Sequence, residues 1–153
     1  MNVLFVCTGN TCRSPMAEAL LRQRLAERGI EGITVASAGT GAWAGAPASE
    51  GSYLVALEDG VDLSAHRAQP LTPDLASSAS LILTMSRSHR QRLIDLGYGD
   101  RTFLLGEYAG KTGSAAEVDD PYGGDLGDYR DTYNQLKSLL DSVAQRLERE
   151  RIP

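Results

Sequence analysis

Val3-Leu4-Phe5-Val6-Cys7-Thr8-Gly9-Asn10-Thr11-Cys12-Arg13-Ser14, residues 3–14, is the stretch from which the rest of the chain can be read. Its first four residues are strand formers in an unbroken apolar run, the pattern of a buried strand. The run stops at Cys7. Ser14-Pro15 then reads as a helix start, with serine as N-cap and proline at N1, where no amide hydrogen is needed. Between strand and helix, Gly9 and Asn10 tolerate positive φ and let successive amides turn inward. Inward amides backed by a helix N-terminus make an anion cradle. Cys7 sits at the strand tip over that cradle, where a sulfur is set up as a thiolate nucleophile. Arg13 brings a planar fork that grips two phosphate oxygens. Cys-x5-Arg in this setting reads as a phosphate-transfer site.

Two other readings of the cysteines stand beside it. Cys7 is equally the residue type of an inert, buried strand end. Cys7-x4-Cys12 also falls within zinc-ligand spacing. His66 and His89 could complete such a site only from distant segments, and Arg13 would set a cation beside the metal. No metal and no other cofactor is expected.

The composition sets the frame. The chain has 153 residues, 42% hydrophobic and 23% charged, the range of one globular domain spanning 1–153. No apolar stretch is long enough to span a bilayer, and the run after Met1 lacks the basic flank and cleavage site of a signal peptide. Two cysteines outside any secreted framework suit a reducing compartment, so a cytoplasmic location is expected. A net charge of -5 and a pI near 5.0 argue against nucleic acid or a membrane surface as partner. A monomer is expected.

Outward from residues 3–14, apolar periodicity predicts a helix over 15–28 with a stop at Gly29, and a second strand over 33–38. Strand, helix and strand of this length imply a right-handed parallel βαβ unit. A Gly, Ala and Pro loop around Trp43 leads to a helix over 49–59. Leu81 to Met85 is a third buried strand, and Ser86 caps the helix after it, on which His89 reads as an exposed residue without a role. Thr102 to Leu105 is a fourth strand. Residues 106–124 show no periodicity, the mark of a functional or disordered loop. Tyr129, Tyr133, Leu136, Leu140, Val143 and Leu147 recur at steps of four and three and define a long C-terminal helix. The alternation predicts an α/β fold with a four-stranded parallel sheet flanked by helices.

Cys7 to Glu18, Ser37-Ala38-Gly39 and Asp120-Pro121-Tyr122-Gly123-Gly124 together resemble the low-molecular-weight protein tyrosine phosphatase family, over nearly the whole chain. Thr11, where tyrosine-specific members carry an aliphatic residue, is similar to the protein arginine phosphatase branch. The resemblance implies a three-layer fold with strand order 2-1-3-4, which puts Cys7 at the carboxyl edge beside the switch point. It implies a phosphate-binding loop of Thr8, Gly9, Asn10, Thr11, Cys12, Arg13 and Ser14, and phosphorylated proteins as substrates. Asp120, in an extended Asp-Pro segment, is implied as the acid for the leaving group and later the base for water. Asp119 competes for that role on sequence alone. Asn10, Ser14, Ser37 and His66 are implied as the supports that hold the loop open. Cys12 either packs beneath the loop or forms a reversible disulfide with Cys7, and the resemblance favours the redox role.

Substrate choice turns on Thr11, Tyr122 and Trp43. A threonine hydroxyl suits a guanidinium, and leaving it unpaired costs about 1–3 kcal/mol. Tyr122 and Trp43 would equally wall a phosphotyrosine ring. Phosphoarginine is the leading substrate and phosphotyrosine the alternative. An arsenate reductase would need further cysteines after Cys12, and the chain has none. A non-catalytic phosphate-binding module would lack a nucleophile, arginine or acid, and all three are present.

Overall fold

Strand β1 (Asn2–Cys7) runs through the middle of the sheet because five of its six residues are apolar or small enough to be buried on both faces. In the computed structural model, which describes residues 1–150, it pairs in parallel with β2 (Thr34–Gly39) on one side and β3 (Leu81–Thr84) on the other. Strand β4 (Thr102–Leu104) lies beyond β3, giving the order β2-β1-β3-β4 that the resemblance implies. The register sets Cys7 opposite Gly39 and Phe5 between Ser37 and Leu83. Strand alternation then divides the core. Val3, Phe5 and Cys7 face one layer, built from α1 (Arg13–Glu27), α2 (Glu50–Glu58), α5 (Leu105–Tyr108) and α6 (Leu126–Glu150). Leu4 and Val6 face the other, where Ala76 of α3 (Pro73–Ser78) and Leu93 of α4 (Arg87–Asp95) pack with Ile82. All six apolar positions predicted along the C-terminal helix are buried on α6.

Three local expectations are corrected. The first helix begins at Arg13, with Cys12 at the N-cap and no side-chain cap. Ser14 lies inside that helix and spends its hydroxyl on Cys7 and Asn10 instead. Ser-Pro is compatible with either arrangement, since Pro is tolerated anywhere in the first turn. The stretch 106–124 is less irregular than predicted. It starts within α5 and carries a 3-10 turn at Gly113–Ala116. Helices this short have no room to display a period. Gly106 is held there by a close approach, because a Cβ on it would overlap the backbone of Ala116. The third correction concerns His89 and belongs with the site.

Candidate active site

The end of β1 delivers Cys7 into a cavity of about 270 Å3 lined by Cys7, Thr8, Gly9, Thr11, Cys12, Arg13, Asp120 and Tyr122. The segment 8–12 between β1 and α1 is shaped by Asn10, whose φ of 56° is the only positive value on a non-glycine residue among those described. Such a conformation costs of order 1–3 kcal/mol and persists only where the surroundings over-determine it. Here they do. Asn10 is fully buried, its Nδ2 donates to Ser14 Oγ at 2.7 Å and to Ser37 Oγ at 2.9 Å, and its Oδ1 accepts from the Gln69 amide at 2.9 Å. His66 Nε2 stands 2.7 Å from the Asn10 carbonyl. Ser37 in turn donates to Glu18 on α1 at 2.5 Å. Asn10, Ser14, Ser37 and His66 thus come together in one network, joined by Gln69 and Glu18, which the sequence does not single out as supports. Gln69 reaches Asn10 through its backbone amide, so its side-chain type carries no signal for that contact, and its Nε2 separately donates to the Ser37 carbonyl at 3.0 Å. Gly39, opposite Cys7, is the second enforced glycine, since a Cβ on it would overlap the Thr8 carbonyl.

Cys7 is 2% exposed, and its Sγ lies 2.8 Å from Ser14 Oγ. Arg13 is also buried, and it reaches across the cavity mouth. One of its terminal nitrogens donates to the Val118 carbonyl at 3.1 Å and the other is 3.6 Å from Asp120 Oδ2. The guanidinium therefore ties the start of α1 to the loop before α6. Asp120 accepts from the Tyr122 amide through its other oxygen, at 3.1 Å, which closes a tight turn over Pro121. Asp119 does not line this cavity, and its backbone is instead pinned to Gln135 and Thr132 of α6. Of the two aspartates, Asp120 is the one that lines the cavity.

Cys12 is free, as is Cys7, and both line the cavity. Cys12 Sγ is 3.3 Å from Ser49 Oγ and 3.7 Å from the Tyr129 hydroxyl, so it packs against α2 and α6 beneath the loop. Tyr122 hangs over the opening, 81% exposed. Trp43, 84% exposed in the loop after β2, is not among the cavity residues.

His89 departs furthest from expectation. It is 5% exposed, with Nε2 at 2.8 Å from Thr8 Oγ1 and Nδ1 at 2.9 Å from Ser86 Oγ. Burial first, then the nearby Arg13 charge, holds its pKa down to about 4, against weaker upward pulls from Asp120 and Glu117. The unfolded chain binds this proton near pH 6.5, the folded chain only near 4. The unfolded state therefore holds more protons inside that window, and stability falls as pH drops from about 6.5 to about 4. Urea midpoints measured across this range are expected to fall more steeply for the wild type than for His89→Gln, which carries no titrating ring.

A profile of the family described as "Low molecular weight phosphotyrosine protein phosphatase" matches residues 2–152. The chain is 40% identical to a protein-arginine-phosphatase of Bacillus subtilis (strain 168), covering 99% of each. It is 38% identical to a probable low molecular weight protein-tyrosine-phosphatase, EpsP, of Ralstonia solanacearum, over 95% of this chain and 94% of that one. Among solved structures, the YwlE arginine phosphatase, as a cysteine-to-serine mutant with a phosphorylated active-site serine, superposes with a TM-score of 0.92. That match has 38% identity and covers 99% of this chain and 98% of the other.

Proposed function

The chain belongs to the low molecular weight phosphotyrosine protein phosphatase family, and we propose that it is a protein-arginine phosphatase working through a phosphocysteine intermediate. The observation that carries this reading is the convergence of Cys7, Arg13, Asp120 and Thr11 on one cavity. In it, the Cys7 thiolate attacks phosphorus as the bond to the guanidine nitrogen breaks. The Arg13 fork and the amides of residues 8–13 hold the remaining oxygens. Asp120 gives its proton to the departing guanidine, then takes one from the water that cleaves the phosphocysteine, returning the thiolate and inorganic phosphate. Ser14, 2.8 Å from Sγ, donates to the sulfur as it leaves. Ser37 and His66 support the loop through Asn10.

The Thr11 hydroxyl and the Asp120 carboxylate suit a guanidinium, and two relatives over nearly the full length are protein-arginine-phosphatases. In this reading the enzyme acts on phosphorylated proteins in the cytoplasm as a monomer. A reversible Cys7–Cys12 disulfide, formed when a peroxide oxidises the nucleophile, would protect it from further oxidation. Among the described residues no helix is long and apolar enough to cross a membrane.

The second reading, a phosphotyrosine phosphatase, is favoured by the exposed Tyr122 ring at the cavity and by the tyrosine-phosphatase relatives. Phosphoarginine and phosphotyrosine peptides, each turned over by wild type and Thr11→Ile, separate the two. The wild type is expected to prefer phosphoarginine, and the substitution to move the ratio of kcat/KM values toward phosphotyrosine by at least about tenfold. An unchanged ratio would remove Thr11 as the filter. A wild-type preference for phosphotyrosine would transfer the conclusion to the second reading.

A further inference from the structure

We propose that His89 is a positioning residue for the phosphate loop, fixing Thr8, the neighbour of the nucleophile, through its Nε2. This rests on the phosphatase reading above and adds to it a residue from α4, an element that otherwise contributes nothing to the cavity wall. Thr8 is shared by two depressions: the cavity holding Cys7 and Arg13, and an open groove of about 480 Å3 in which His89, Ser88, Gln91 and Arg92 face Thr8 and Thr40. It is also gripped at both ends. Its carbonyl accepts from the Gly41 amide at 2.9 Å, and its hydroxyl meets His89 Nε2 at 2.8 Å.

In the proposed donor order, Ser86 Oγ accepts the His89 amide at 3.5 Å and the hydroxyl of Ser88 at 2.9 Å, and gives its own hydrogen to His89 Nδ1 at 2.9 Å. Nε2 then carries the ring proton and donates it to Thr8 Oγ1. The Thr8 hydroxyl hydrogen is freed to turn toward an oxyanion, and the residue beside Cys7 is locked in one rotamer. This order needs an uncharged ring, because a doubly protonated imidazole has no lone pair to receive Ser86. The charged groups around it are Arg13 from α1, Asp120 and Glu117 from the loop before α6, and Arg92 and Asp95 along its own helix. Burial and Arg13 together keep the ring neutral.

The test uses para-nitrophenyl phosphate as substrate and inorganic phosphate as inhibitor, on wild type, Thr8→Val, His89→Ala, His89→Gln and the Thr8→Val/His89→Ala double variant. His89→Ala is expected to lower kcat/KM about tenfold and to weaken phosphate inhibition in parallel, since displacements of an ångström or less in a reaction site cost up to about a hundredfold. Glutamine places an amide nitrogen near the Nε2 position, so His89→Gln should stay within about threefold of wild type. The double variant should be no worse than the poorer single one, because both remove the same bond. A His89→Ala enzyme with wild-type kcat/KM, a glutamine variant as poor as alanine, or fully additive effects would each overturn the proposal and leave His89 a packing residue. Should alanine fail to fold, His89→Leu, which fills the buried space without a donor, takes its place in each comparison. A wild type that does not hydrolyse the ester at all would sink the phosphatase reading instead, and phosphate affinity across the same variants, read by calorimetry, would still judge His89.

Discussion

Cys7→Ser is expected to lower turnover of any phosphorylated substrate by about 10^4-fold or more, with the melting temperature little changed. A hydroxyl is a weak nucleophile at neutral pH unless a base removes its proton, and a thiolate needs no such help. Among the described residues, no such base hydrogen-bonds Cys7. The side-chain hydrogen-bond partner of Sγ is the Ser14 hydroxyl, itself engaged by Asn10 Nδ2. Asp120 sits across the cavity against Arg13. A serine oxygen at this position keeps the contact to Ser14 and the volume of the buried site, so the fold is not at stake. A 10^4-fold loss corresponds to about 5.5 kcal/mol of barrier, too large for a small displacement to mimic. Steady-state release of phosphate is the measurement, with mass spectrometry to detect any phosphoserine that forms and then stalls. Retention of more than a few per cent of wild-type turnover would mean that phosphorus is attacked by water directly, and the phosphocysteine would have to be abandoned.

How far the sequence reaches can be judged residue by residue. The unbroken run Val3–Val6 and its counterpart Leu81–Met85 announce strands buried on both faces, and the heptad-like spacing on α6 announces its packing side. These are local patterns, and local patterns survive folding. The candidate site was legible for a related reason. Cys7, Gly9, Asn10 and Arg13 act through a loop of fixed length, so their spacing is itself the geometry. His89 and Glu18 lacked that advantage. Each reaches its partner, Thr8 or Ser37, only because parallel strands bring distant segments to one sheet edge. On a short, mostly polar helix such as α4, a histidine carries no mark of which way it points. Ser14 reads as a cap but lies inside α1, because Ser-Pro announces a helix start without saying whether the serine caps it or lies one residue inside. For Asp119 and Asp120 the family resemblance favours Asp120 while the residues alone do not, because the register of the loop against α6, which fixes Asp119 through its backbone, is not written in local sequence.

Arg13→Lys is the second large effect expected, a loss of about a thousandfold in kcat/KM, of the size seen when a preorganised donor to a transition-state oxyanion is removed. Lysine keeps the charge, so Coulomb attraction alone cannot account for such a loss. What it lacks is the rigid fork. In this structure the fork has two simultaneous structural partners, the Val118 carbonyl at 3.1 Å and the Asp120 carboxylate at 3.6 Å, and it also lines the cavity where the oxyanion would bind. A single ammonium cannot face all three. The side chain of Arg13 is 6% exposed and that of Asp120 is 53% exposed, so the partner released into solvent is Asp120. The lysine enzyme should therefore lose two things at once: affinity for inorganic phosphate, and the positioning of the acid. A substrate with a good leaving group, such as para-nitrophenyl phosphate, needs little help from Asp120 and should suffer less than a phosphoarginine peptide, whose guanidine must be protonated to depart. The ratio of the two losses thus reports the link between the start of α1 and the loop before α6, while phosphate inhibition reports the grip on the anion. Equal losses on both substrates would leave Arg13 as an anion clamp with no part in holding Asp120. A lysine variant within about fivefold of wild type on both would show that charge alone suffices, and that the planar geometry argued for here is not what the reaction uses.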